Sequence, residues 1–193
     1  VSSTTRDRIL DALEGVLIER GPSAVTLESV AAAAGVSKGG LLYHFPSKGA
    51  MMTGLVRRLA ERAEQEFAAA RDSPEGVARF FLRTSVPGTV AEAELYWSVI
   101  AALRSKEGVP PEAAELIGRM FEQWSRLLHE ELGDPVLAET IRLVGDGLYL
   151  SAIAGLPQPD PRLLERVLDR LTARADAARS SGGAGDGSEG AWA

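Results

Sequence analysis

The chain contains no cysteine. That excludes a disulfide scaffold, a cysteine zinc site, an iron–sulfur cluster and a cysteine nucleophile. Its two histidines, His44 and His129, are too few for a multi-histidine metal centre within one chain. Aromatic residues make up only 6%. No run of about 18 apolar residues is present to span a bilayer. No basic segment followed by an apolar one opens the sequence, so no secretory signal is expected, and the cytoplasm is the expected compartment. A phosphate loop, a nucleophile elbow and the Glu-x-x-His pairs of a di-metal bundle are missing too. No enzyme, cofactor or metal is therefore expected. Lysine is scarce: Lys38, Lys48 and Lys106 stand against 18 arginines. With the abundance of alanine and glycine, this usage points to a GC-rich genome, hence to a bacterium.

What is present suits an ordinary globular chain. The 193 residues are 45% hydrophobic and 25% charged, enough to bury a core without staples. The net charge of −6 is unevenly spread: residues 1–62 carry eight Lys/Arg and six Asp/Glu, and residues 63–193 carry 13 and 21. Such a chain does not coat nucleic acid at large, but its first third tolerates an anionic partner better than the rest does.

The pattern is helical almost throughout. Ile9, Leu13, Val16 and Leu17 share one helical face, and Thr4 with Asp7 forms a start signal. Gly21-Pro22 stops that helix. Further helices are expected over 27–34, from after Ser37 to before Pro46, and from after Ser47 to about Arg71. Then come 75–85, 89–106, 110–132, 135–155 and 161–178, divided by Pro and Gly. Residues 180–193 are rich in Gly and Ser and are expected to be a disordered tail, with Trp192 part of it.

The informative stretch is Thr26 to Lys48, TLESVAAAAGVSKGGLLYHFPSK. Helix, short turn with glycine, helix is the helix-turn-helix pattern. Small residues Ala31 to Ala34 let two helices cross closely. Gly35 accepts a positive φ, and Val36 plugs the joint. Ser37 caps the second helix and offers a hydroxyl to phosphate. Leu41 and Phe45 point inward, while Lys38, Gly39, Gly40, Tyr43 and His44 point outward. Two glycines inside a helix cost about 1 kcal/mol each relative to alanine, but they let backbone approach a groove wall. Lys48, in the first turn of the next helix, opposes the helix dipole unless a phosphate sits there.

These residues closely resemble the TetR family of bacterial transcriptional regulators. The likeness rests on T-L-x-x-V-A-x-x-A-G-V-S-K-G at Thr26 to Gly39 and on L-x-Y-H-F-x-S-K at Leu41 to Lys48. It covers residues 6–56 strongly and the rest only in architecture. It implies an all-α fold of about nine helices. A helix-turn-helix domain would span 1–47, a helical effector-binding and dimerisation domain 48–179, and a tail 180–193. It implies a homodimer on a palindromic operator, released by a small, largely apolar effector, with no membrane partner. Carried over by position, Lys38, Gly39, Gly40 and Tyr43 face bases, and Thr26, Ser37, His44 and Lys48 hold phosphates. Leu42 departs from the aromatic residue common in the family, so no hydroxyl contact is available there. Leu42 is left to touch a thymine methyl or to pack internally.

Other residues have two readings. Arg57, Arg58 and Arg62 are expected on a solvated face, pairing with Glu61 and Glu66, with DNA as the alternative. Phe80, Phe81, Tyr96, Trp97, Met120, Phe121 and Trp124 are either plain core or the wall of an effector pocket. Asp146, in an apolar run, pairs with Arg142, receives a ligand group or crosses a dimer interface. Glu94 is a weaker candidate for the same role. Ile141, Val144, Leu148 and Ala152 form one apolar stripe, and Leu164, Val167, Leu168 and Leu171 another. Both are expected to build a twofold four-helix interface, the alternative being that they pack only on their own subunit. The alternative to the whole reading is a helical interaction or small-molecule-binding module without specific DNA binding.

Overall fold

The computed structural model describes residues 4–104 and 110–182, without the side chains of 103–104 and 176–182. The described residues form nine α-helices and no strand. The helices are α1 (Thr5–Arg20), α2 (Leu27–Ala34), α3 (Lys38–His44), α4 (Lys48–Arg71), α5 (Val77–Thr84), α6 (Val90–Arg104), α7 (Pro111–Leu132), α8 (Pro135–Ile153) and α9 (Pro161–Gly182). A single 3-10 turn, Pro22–Ala24, follows α1. None of the described helices is long and apolar enough to cross a membrane.

Most ends fall where the sequence places them, and the differences have local causes. α5 starts at Val77 rather than 75, because Gly76 takes a φ of 83° that no helix admits. α8 stops at Ile153, just before Gly155 with φ 63°. α9 runs on to Gly182, so Ser180 to Gly182 continue the helix instead of starting a tail. The rest of the expected tail, with Trp192, lies outside the described residues, as does the expected end of α6 at 106.

Packing divides the chain into two compact units. The first takes in residues up to 65 and 87–120; the second takes in 66–86 and the chain from 121 onwards. The boundary expected between Ser47 and Lys48 lies inside the first unit. The reason is that Met51, Met52, Leu55, Val56 and Leu59 of α4 are buried in the same core as α1, α2 and α3.

In the first unit, Ile9, Leu10, Leu13, Val16 and Leu17 of α1 are fully buried, against Val30 of α2 and Leu41 of α3. The Thr4 cap starts α1: Asp7 N–H donates to Thr4 Oγ1 at 3.1 Å, and Thr4 N–H donates to Asp7 Oδ2 at 3.2 Å. The Thr4 hydroxyl, donating to Asp7 Oδ2 at 2.6 Å, and then the Thr4 N–H hold the Asp7 carboxyl below its ordinary range. Leu95 and Val99 of α6 join the core, and the buried Ser98 hydroxyl donates to Leu17 O at 3.1 Å. Gly54 lets the Phe45 ring press on α4; a Cβ there would lie 2.6 Å from that ring.

In the second unit, α5 packs on α8 and α9. Gly145 makes room for Phe81: any Cβ at 145 would overlap the ring and would lie 2.7 Å from Ser85 Oγ. Gly76 offers α5 no side-chain cap. Glu131 of α7 replaces it, accepting from Val77 N–H at 2.7 Å and Ala78 N–H at 2.9 Å. A carboxylate on two free amides at a helix start is a strong, charge-assisted arrangement.

Candidate nucleic-acid interface

Three backbone events build the helix-turn-helix. Thr26 caps α2 by accepting from Ser29 N–H at 3.0 Å, and Ser29 Oγ accepts in return from Thr26 N–H at 3.0 Å. Gly35 ends α2 in the left-handed region, with φ 66° and ψ 35°. Ser37 then caps α3, accepting from Gly40 N–H at 3.0 Å. Val36 packs against the core between these two points. A further cap at Ser47 accepts from Ala50 N–H at 3.0 Å and opens α4. Each of Thr26, Ser37 and Ser47 uses an acceptor lone pair and keeps its own O–H as a donor. Ser47 is a phosphate candidate that the sequence reading passed over, although a serine just before a helix start was visible there.

The short α3 has one buried side and one open side. Leu41 and Phe45 are 0% and 3% exposed. Opposite them, Tyr43 is 86% exposed, touching only the edge of the His44 ring at 5.2 Å between centroids among its ring contacts. Leu42 is 37% exposed, which favours an outward role over internal packing. A Cβ at Gly39 would meet nothing within 4 Å, and Gly40 has only Ser37 Oγ at 3.2 Å and Val36 Cβ at 4.0 Å. Nothing inside the chain requires glycine at 39. Lys38 Nζ lies 2.6 Å from Glu28 Oε1 of α2, and both side chains are more than half exposed. That hydrogen bond is the main reason the Glu28 carboxyl sits below its usual range. His44 closes α3 and Lys48 opens α4, both half-buried.

Three of the four α4 arginines pair with carboxylates of other helices. Arg57 pairs with Glu112 of α7. Arg58, only 15% exposed, bonds Asp11, reaches Glu14 at 3.3 Å and donates to Asp7 O at 3.1 Å. Arg62 bonds Glu14 at 3.1 Å. Arg58 and Arg62 thus form a clamp between α1 and α4. Sequence spacing shows neighbours on one helix and is silent about partners on another.

Two family models match the chain. One, described as bacterial regulatory proteins of the tetR family, covers residues 9–55; the other, described as tetracyclin repressor-like, C-terminal domain, covers residues 75–176. The chain belongs to the TetR family. Among curated relatives, the HTH-type transcriptional regulator AlkX of Mycobacterium tuberculosis is 38% identical over 71 residues, 37% of this chain. The match spans about a third, 34%, of that relative's length. Among solved structures, the multidrug binding protein EbrR, complexed with malachite green, has a TM-score of 0.66 and 28% identity, covering 86% of this chain and 96% of that one. A TetR-family member from Streptomyces coelicolor A3 has a TM-score of 0.68 and 27% identity, covering 86% and 97%.

The remaining expected residues of this TetR-family chain divide between the units. Tyr96, Trp97 and Met120 belong to the first: Tyr96 packs against its core, and Trp97 is 43% exposed. Phe80, Phe81 and Trp124 come together in the second, with Phe67, which the sequence reading missed. Trp124 lies 5.0 Å from Phe67, 5.1 Å from Phe81 and 6.3 Å from Phe80 between ring centroids. Phe121 stays 43% exposed. Asp146 pairs with Arg142, which also bonds Glu139 at 2.5 Å. Burial still pushes the Asp146 carboxyl above its ordinary value, against the pull of Arg142. Glu94 is exposed.

Part of the expected α8 stripe is covered within the chain. Ile141 and Leu148 are 0% and 9% exposed within the chain itself, on the side that packs against α5. Val144 and Ala152 are half-buried. The open apolar side of α8 is instead Val136, Leu143 and Leu150, 75%, 57% and 51% exposed. On α9, Leu164, Leu168 and Leu171 are half-buried, while Val167 is open, together with Leu163.

Proposed function

We propose that this chain is a ligand-responsive transcriptional regulator: a homodimer that represses from a palindromic operator and is released by a small, largely apolar effector. The carrying observation is α3, a capped helix that leaves Tyr43 bare and holds a glycine at 39 with no internal use. Lys38, Gly39, Gly40 and Tyr43 face base edges, and Thr26, Ser37, His44 and Lys48 hold phosphates, with Ser47 added to them. The N-terminal region through Ser47 is the reading head; the helices from Lys48 on sense and dimerise. The cytoplasm, where DNA is open to it, is its place of action.

The effector's wall is the aromatic group around Trp124. A similar protein solved with malachite green supports a small organic ligand there. Dimerisation uses the bare aliphatic side of α8 together with Leu163 and Val167 of α9. An effector shifts the population only by its differential affinity for the DNA-free state. α4 and α7 each belong to both units; α4, which also reaches the helix-turn-helix, is the element assigned to carry the shift.

The test is selection of random duplex DNA on the purified protein at two salt concentrations. An enriched palindrome, with affinity falling steeply as salt rises, supports the reading. Binding indifferent to sequence would favour an interaction module instead. Gly39→Ala adds a second test. It should raise stability by about 0.5–1 kcal/mol while weakening the operator complex. Equal operator affinity in that variant would remove the argument from close approach.

A further inference from the structure

Lys38 does not stand alone on the open side of the reading helix. Its ammonium is 2.6 Å from Glu28 Oε1, although the two residues belong to different helices. Both side chains remain accessible, at 56% and 65%. The open side of α3 otherwise offers glycine at 39, Leu42 and Tyr43. Lys38 is thus the one long cation there, and it arrives with a carboxylate attached.

The chemistry of that pair is specific. Lysine supplies donors only and an ionised glutamate acceptors only. Side by side they present one donor and one acceptor. In the major groove a G·C base pair presents the reverse: acceptors at guanine O6 and N7 beside a donor at cytosine N4. Within that base pair, O6 and N4 are joined by an ordinary hydrogen bond, about 2.9 Å between heavy atoms. The separation of Nζ and Oε1 matches that spacing closely. An A·T pair also presents a donor, N6, between acceptors at adenine N7 and thymine O4, but at other positions across the groove. The couple therefore reads a base pair by where its donor and acceptor stand. A phosphate, in turn, attracts Lys38 but repels Glu28.

We propose that Glu28 and Lys38 act as a single element that reads one base pair in each half-site, and that Glu28 restrains Lys38 from binding phosphate indiscriminately. The inference rests on the reading of this chain as an operator-binding regulator. Glu28 becomes a specificity-determining residue, accepting from an exocyclic base amino group while Lys38 donates to the acceptor beside it. The carboxylate lowers affinity for DNA in general and raises the ratio between operator and other sequences.

The experiment is the same random-duplex selection, run in parallel on wild type, Glu28→Gln, Glu28→Ala and Lys38→Met. Thermal unfolding of each confirms the fold. Both glutamate variants should lose discrimination by about tenfold at one base pair per half-site. They should also bind non-operator DNA about threefold more tightly, the scale of an exposed ion pair. Lys38→Met should lose preference at that same base pair. Three results overturn the proposal: unchanged base preferences in the glutamate variants, loss at a different base pair from that affected by Lys38→Met, or weaker non-operator binding. If the wild type enriches no sequence, the operator reading itself fails and the proposal falls with it. If the wild type enriches a palindrome but the variants match it, only the paired selection fails.

Discussion

The two ends of this chain both expose apolar surface, and they do so differently. In the reading head the exposed side chain is Tyr43, beside hydroxyls at Ser37 and Ser47 and the Lys38 ammonium. On α8 and α9 it is aliphatic: Val136, Leu143, Leu150, Leu163 and Val167. An aromatic with a hydroxyl among polar donors suits a wet, charged partner. A row of bare aliphatics suits a dry one of its own kind. Exposure alone does not separate the two faces; the chemistry of the exposed side chains does.

The sharpest way to break that contrast is to charge the aliphatic side. Leu143→Glu with Leu150→Glu should weaken the dimer by more than about 100-fold, read by sedimentation at micromolar protein. Operator binding should fall with it, while each chain keeps its helices by circular dichroism. An unchanged dimer would assign these residues to something else.

Next in size is the clamp inside the head. Arg58→Ala leaves Asp11 and Glu14 without their shared guanidinium. Urea unfolding should show a loss of about 2–3 kcal/mol, because a largely buried cation with several partners is being removed. A loss below about 0.5 kcal/mol would reduce the clamp to a surface pair. The result tells whether polar contacts hold the head as apolar ones hold the second unit.

Tyr43→Ala should behave in the opposite way. Its side chain contributes little to the fold, so stability should stay within about 0.5 kcal/mol. Operator affinity should drop about tenfold, measured by fluorescence anisotropy. A stability loss without an affinity loss would make Tyr43 a structural residue.

The smallest effect concerns Asp146. Burial raises its carboxyl above the ordinary 3.8, so ionising it opposes folding. That cost is absent below the unfolded value and complete above the raised one. Asp146→Asn removes it. Relative to wild type, the variant should gain stability over the range above the ordinary carboxylate value, read by urea unfolding at a series of pH values. A relative loss over that range would mean that Arg142 outweighs burial.

The head was legible because its signals are local. Thr26, Gly35 and Ser37 each do their work within four residues, so spacing alone revealed them. Leu41 and Phe45 followed from helical period. The partners of Arg57, Arg58 and Arg62 were not legible, because they lie on α1 and α7. Glu28 escaped for the same reason: nothing in the sequence joins it to Lys38 across the turn. On α8 both sides are apolar, so periodicity found a stripe but could not tell which one α5 covers. Gly145 held the clue, since a glycine among leucines marks where a neighbouring ring presses in. Phe67 was missed because it stands alone on α4, away from the paired aromatics of α5.

Gly39 has a consequence for anyone improving this protein. A Cβ there touches nothing, and the backbone φ suits any residue. Screens for heat resistance would therefore enrich alanine at this position. The hardened protein would express well, unfold later and pass every check of its helices. On the reading proposed above it would also have thickened the part of α3 that lies flat against a groove, and the resulting deafness to its promoter would leave no mark on its melting curve.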